Sequence, residues 1–395
     1  MPGAPVRVIG TLGTTQTLAW ASSYYLPAML ADPMARDLGV SVPTVYAAFS
    51  VAMVASALAG PWAGQAIDRH GGRIVLVGTS LLFALGLGML GSAQGLWTML
   101  GAWIVIGIAM GAGLYEAAFS SLVRLYGHQA RGAITGITLI AGFASTVGWP
   151  LSAWMETQFG WRGACLGWAA LHLLVGLPLN AWLPRASTPS KAASLDAMAA
   201  APADASPAPE PRRQGYATAL LAFVFAATWF ISTAMATHLP RMLEATGATL
   251  TAAVAVGALI GPAQVAGRLL EFGFLRQVHP LLSARLAALA HPAGVAVLLT
   301  GGAAMAPAFA ILHGAGNGIL TIAKGTLPLA LFGPQGYGAR QGWLMMPARG
   351  AQALAPFLFG LALDAWGARA LWLSGGIGLA AFGALLALRA RPAAA

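Results

Sequence analysis

Charge is what this chain most lacks. Only 8% of its 395 residues are Asp, Glu, Lys or Arg, where a soluble domain carries about 25%. So few charges cannot coat a globule of this length, which excludes a soluble enzyme. Cysteine is nearly absent too. Cys165 stands alone, excluding a disulfide framework and any metal site built from thiolates. The chain has no Gly-x-x-x-x-Gly-Lys-Ser/Thr loop, so ATP does not drive it directly. Paired carboxylates, metal-ligand spacing and a nucleophile beside a base are missing as well. Neither enzymatic chemistry nor a cofactor or metal is expected. The net charge of +10 does not mark a nucleic-acid partner, because the basic residues fall singly between apolar runs.

Apolar runs fill the rest. Hydrophobic residues make up 58% of the chain, and its 50 glycines let membrane helices approach closely. A bilayer crossing takes roughly 20 mostly apolar residues, and the runs between charged or turn-rich punctuation make twelve. The first six are expected near 9–31, 42–67, 74–93, 97–123, 132–155 and 162–183. The second six are expected near 216–240, 250–272, 282–301, 304–332, 341–364 and 370–388. Nothing alternates as the strands of a barrel would. Thr14, Gln16 and Ser22 interrupt the first run, which is too long for a cleaved signal. The expected class is an all-α integral membrane protein.

Basic residues set the orientation. With the amino terminus inside, only Arg36, Arg162, Arg241 and Arg369 fall outside. The other Lys and Arg residues, Arg268 among them, are then cytoplasmic, except Lys324 and Arg349, which fall inside spans. Both termini are expected in the cytoplasm. The stretch 184–215 is rich in Pro, Ala and Ser, carries Asp196, Asp204 and Glu210, and has no apolar period. It reads as a flexible cytoplasmic linker between six-helix bundles at 1–183 and 216–395. The halves echo one another. Leu26-Pro27-Ala28-Met29-Leu30 returns as Leu239-Pro240-Arg241-Met242-Leu243, Gly60-Pro61 as Gly261-Pro262, and Gly111-Ala112-Gly113 as Gly314-Ala315-Gly316. Two parallel six-span halves are a transporter plan.

The loop after the second run reads Gly64-Gln65-Ala66-Ile67-Asp68-Arg69-His70-Gly71-Gly72-Arg73. Gly64 permits close helix contact, Gly71 and Gly72 permit a tight reversal, and Asp68 is placed to pair with arginines or cap a neighbouring helix. The loop resembles the signature of the major facilitator superfamily, Gly-x-x-x-Asp-Arg/Lys-x-Gly-Arg/x-Arg/Lys, and sits between the spans where that family has it. The resemblance implies a twelve-span secondary transporter working by alternating access. It implies a conformational latch at Gly64, Asp68, Arg69, Gly71 and Arg73, and a central cavity lined by spans one, four, seven and ten with span eleven beside it. Two departures count against drug export. Span four, Trp103 to Gly111, lacks the buried arginine of many drug antiporters. Span five has only Gly148-Trp149-Pro150 for their Gly-Pro pair. In the second half, the echo around Gly267 and Arg268 has lost its acidic member, for which Glu271 is a substitute.

Three charges stand out near the bilayer centre, where a charge is costly and usually functional: Glu116, Lys324 and Arg349. Each lies eight or nine residues from a loop marker, respectively Arg124, Gly333 and Arg340. At 1.5 Å per residue this is about 12–14 Å, just short of half the ~30 Å core, so all three share a depth near the midplane. One acid and two bases favour an anion, held by Arg349 as a planar fork and Lys324 as a point charge. Glu116 is the candidate proton-coupling residue, with His313 as a second titrating group. A structural ion pair that only docks the halves is the plainer reading of Glu116. His313, Asn317 and Lys324 share one face of span ten. Asn317, Trp20, Tyr24, Tyr115 and Trp229 are candidate substrate contacts, the aromatic ones otherwise simply packing.

The expected activity is proton-coupled transport of a small organic anion resembling a monocarboxylate. Efflux of an amphipathic drug or metabolite against protons is the alternative transport reading. A non-transporting receptor or scaffold is the alternative of another class; a folded sensory extension would mark it, and none is visible. The expected partners are protons, the anion and the bilayer, with the chain working as a monomer. A bacterial inner membrane suits its loop-poor build. A reporter active only in the cytoplasm is expected to work when fused after Arg185 and to stay silent when fused after Gly39. The reverse pattern would invert the topology.

Overall fold

The computed structural model describes residues 5–185 and 211–388, and every regular element among them is helical. Seven helical segments of the described residues are long and apolar enough to cross a membrane. Several hold more than one crossing, because helix or 3₁₀ turn continues through the tight reversals. Leu96–Ala181 alone carries spans four, five and six. Most of the expected linker lies outside the described residues, with Lys191, Asp196, Asp204 and Glu210. Arg389 and Arg391 lie outside them too.

In the first half, span two is Val42–His70 and span three Gly72–Gly91. Spans five and six share the helix Ala144–Leu171, which reverses at Gly160. The positive φ of 69° there suits glycine. Span six continues through a π-turn at His172–Gly176 into Leu177–Ala181. The second half runs Pro211–Ala245, Leu250–Gly273, Pro280–Gly301, Ala306–Phe332, Tyr337–Trp366 and Ala370–Ala387. Span seven thus begins at Pro211, inside the stretch expected to be linker.

Spans expected to be continuous are broken in the first half. Span one is Val6–Ser22 followed by Pro27–Leu38. The hydroxyls of Ser22 and Ser23 bond back to Leu18 and Ala19 carbonyls at 2.8 and 2.5 Å, and Pro27 has no N–H to continue the ladder. Span four is Leu96–Gly113 followed by Tyr115–Tyr126. Leu114 between them is extended, at φ −82° and ψ −165°. The break frees the Gly113 carbonyl, and the buried Gln16 amide donates to it at 2.7 Å, as irregular backbone inside a membrane requires. Span five is interrupted between Ala130–Ala141 and Ala144.

The halves meet most intimately at the end that carries the signature loop. A side chain at Gly64 would strike the Gly338 carbonyl, and one at Gly342 would strike the backbone at Gly60 and Pro61. Spans two and eleven therefore touch backbone to backbone. Gly107 and Gly111 meet span two in the same way, while Gly314 and Gly318 meet span eight, so the repeated four-residue glycine spacing serves close packing. At the end of the glycine seam, the Asp68 carboxylate accepts from the N–H groups of Gly338 and Ala339 at 2.9 and 2.8 Å. It caps span eleven from the other half, at a helix end that favours a negative charge. A second tie mirrors the first. Arg131 of span five donates to Glu271 of span eight at 3.0 Å and to the Leu275 and Val278 carbonyls. Within the same corner, His279 caps span nine by accepting from the Leu281 N–H. Burial, with Arg131 and Arg285 nearby, holds its imidazole below the ordinary range and so in the accepting form.

Asp68→Asn keeps the shape but removes the charge from the helix end, at a cost of about 1 kcal/mol to the closed arrangement. Spin labels on span two and span eleven at this end should report a larger share of long distances in the variant. An unchanged distribution would mean that the carboxylate does not hold this end shut.

Candidate functional site

Glu116 stands in the first turn of the half-helix Tyr115–Tyr126, where unpaired N–H groups favour a carboxylate. Across the interface, Arg349 donates from Nη2 to Glu116 Oε2 at 3.0 Å, with side-chain exposures of 3% and 14%. The guanidinium is fixed from its other edge. Nη1 donates to Gln352 at 3.2 Å, and the Gln352 amide donates to the Tyr24 hydroxyl at 3.1 Å. Charges on spans four and eleven thus meet at one depth.

Aromatic rings enclose them. Trp20 and Trp229, one from each half, stack within 9° of parallel, with centroids 6.3 Å apart. Arg349 lies 5.9 Å from the first ring and 5.3 Å from the second. Lys324 sets its ammonium 3.9 Å from the centre of Trp229. Tyr24 and Tyr115 pack on Trp20 at 5.3 and 5.1 Å. The faces that would attract a cationic ligand are therefore held by the protein's own cations.

Lys324 is buried, and among the described residues no carboxylate comes within 4.0 Å of its ammonium. Its backbone is fixed by a local defect. Pro328 cannot donate to the Lys324 carbonyl one turn back, and the Gln341 amide of span eleven takes that carbonyl at 3.0 Å. The Tyr337 hydroxyl bonds the next carbonyl, that of Gly325, at 2.7 Å. Asn317 donates to Ser232 at 3.0 Å, joining spans ten and seven.

Other expected residues fall elsewhere. His313 does not face the charges; its Nδ1 lies 3.0 Å from that of His291 on span nine, and its ring stacks on Phe309. A void of about 20 Å³ adjoins the pair, room for one water. His291, which sequence spacing leaves isolated, is thus its partner. In the signature loop, Gly64 and Asp68 engage the other half. Arg73 turns to its own half, donating to Leu183 at 3.4 Å. Gly71 makes the reversal at φ 84°, and Arg69 has no ion pair among those found in the described residues.

Arg268 requires a correction. It is not a loop residue: it lies inside span eight and is only 5% exposed. Its Nη1 occupies the place where a side chain at Gly142 would go, against the interruption of span five. A signal for it exists in the sequence. Arg268 is eight residues from Arg276, the same offset that separates Glu116 from its marker.

The sequence pattern of the Major Facilitator Superfamily matches residues 12–346. The chain belongs to that superfamily. Solved members share its fold along nearly the whole length. The proton:xylose symporter XylE aligns with a TM-score of 0.75 at 12% identity, covering 97% of this chain and 95% of its own. FucP in the outward conformation, the fucose:proton symporter of E. coli, gives 0.71 at 15%, with 96% and 97% covered. The human organic anion transporter MFSD10 gives 0.69 at 16%, with 97% and 100% covered. The superfamily assignment makes the chain an integral membrane transporter and not an enzyme.

In this superfamily member the cross-half pair has a testable energetic signature. Glu116→Leu leaves a buried guanidinium without its counter-charge and should cost about 3–5 kcal/mol. Adding Arg349→Met should restore most of that, as read from thermal unfolding in detergent. Additive losses in the double variant would show that the two side chains do not act as a pair.

Proposed function

We propose that the protein is a proton-coupled carrier of a small organic anion. The observation that carries this reading is the buried Arg349–Glu116 pair, which joins the halves at 3.0 Å beside the acid-free Lys324. Arg349 offers a planar fork to a carboxylate and Lys324 a point charge. Glu116 and the incoming carboxylate compete for the same guanidinium. Protonation of Glu116 releases Arg349 to the substrate, and the loaded, proton-bearing carrier closes around it. Coupling then rests on one exchange: the anion replaces the carboxylate that the proton has neutralised. Trp20, Trp229, Tyr24 and Tyr115 exclude water and strengthen each electrostatic contact.

Efflux of a cationic drug fits less well, because Arg349 and Lys324 already lie over the tryptophan faces. The latch at Gly64 and Asp68 and the tie at Arg131 and Glu271 close the end that basic loops assign to the cytoplasm.

Uptake of a labelled panel of small organic acids into proteoliposomes, with and without a proton gradient, tests the reading. One acid should accumulate in wild type under the gradient. Glu116→Gln should lose gradient-driven accumulation at least about tenfold while retaining exchange of internal for external substrate. Accumulation unchanged in the variant would remove Glu116 from coupling. Absence of uptake for every acid, in protein shown to be folded, would overturn the anion assignment.

A further inference from the structure

The buried charges between the halves do not balance with a single carboxylate. Glu116 is already matched by Arg349. Lys324 has no acid within 4.0 Å among the described residues. Arg268 is a second buried cation in the same condition, and its Nε and Nη1 are buried without any hydrogen-bond partner. Glu271 stands one turn along the same helix, yet it is turned to Arg131 at 3.0 Å and makes no ion pair with Arg268. A guanidinium stays protonated in proteins, and leaving one buried with unmatched donors costs far more than a made hydrogen bond returns.

Arg268 is also aimed. Its guanidinium reaches across the interface from span eight to the interruption of span five, where the absence of a Gly142 side chain gives it room. Span eight packs backbone to backbone on span ten at Gln264 and Gly318, so Arg268, four residues on, and Lys324, six residues on, lie beyond the same contact in spans that run in the same direction. The two unmatched cations enter from different spans, Arg268 from span eight and Lys324 from span ten.

We infer that the substrate is a dicarboxylate. One carboxylate is held by Lys324 with Arg349, and the second by Arg268 at the Gly142 break. This rests on the anion-carrier reading and sharpens it: two separate anionic groups answer two separate unmatched cations. A monocarboxylate would fill the first position and leave the Arg268 guanidinium buried and unpaired. Loading by a dianion gives each of the two otherwise unmatched cations a carboxylate to face.

Calorimetric titration of the purified full chain with malonate, succinate and glutarate, each beside its monomethyl ester, tests the inference. The ester keeps one carboxylate and the carbon skeleton. At least one diacid should bind wild type about tenfold or more tighter than its ester, the worth of charge-assisted hydrogen bonds. Arg268→Gln should bring that pair within about twofold by weakening the diacid alone, and Arg268→Lys should restore part of the difference. Esters that bind wild type as tightly as their diacids would overturn the dicarboxylate and leave the single-anion reading standing. Equal loss of diacid and ester in Arg268→Gln, with Arg268→Lys equally impaired, would make Arg268 structural and overturn it too. Binding of none of the six compounds would remove the inference together with the reading beneath it.

Discussion

A carboxylate and a guanidinium buried in hydrocarbon must find each other, and here they are supplied by different halves of the molecule. That constraint organises what surrounds them. Glu116 needs a helix start near the midplane, which the break at Leu114 provides, and the break needs a donor for Gly113, which Gln16 provides. Arg349 must be held at the same depth, and Gln352 and Tyr24 fix its free edge. Tight approach of spans two and eleven brings the partners within reach, and glycine at positions 60, 64, 338 and 342 permits that approach. Because the pair is weak as a source of net stability, the proposed carrier uses it as an exchangeable contact. A ligand with the right charge can take the place of one member.

The two ends of the interface use different physics. At the signature-loop end, backbone touches backbone, and Asp68 saturates a helix terminus that would otherwise be unsatisfied. Near the midplane, side chains of opposite charge sit among aromatic rings. The first kind of contact is strong only when fully closed, since a carboxylate displaced by an ångström or two no longer caps the helix. The second tolerates rearrangement, because several groups there can exchange partners. A carrier needs both: an end that is open or shut, and a middle that recognises.

Depth was legible in the sequence, and direction was not. Counting residues from loop markers puts Glu116, Lys324 and Arg349 at one level, and the structure brings them into one cluster. The loop around Asp68 likewise announces its position and its role as a cap. By contrast, His313 shares a nominal face with Lys324 over eleven residues, yet it meets His291 of span nine and not the charges. The interruption at Leu114 carries no proline to signal it; glycine-rich sequence allows a break without demanding one. Arg268 is hidden by the echo of the signature loop, which suggests a loop position. Its offset from Arg276 indicates a buried one, so two local cues conflict and packing against Gly142 decides.

The titratable acid belongs to the first half of the chain, while Arg268, Lys324 and Arg349 all belong to the second. When two halves rock about a fixed centre, charges on one move against charges on the other. An elementary charge crossing the full membrane field exchanges about 2.3 kcal/mol per 100 mV, and even a fraction of that shifts an equilibrium between two orientations. On the proposed carrier reading, the unloaded molecule therefore has a resting posture that responds to membrane voltage.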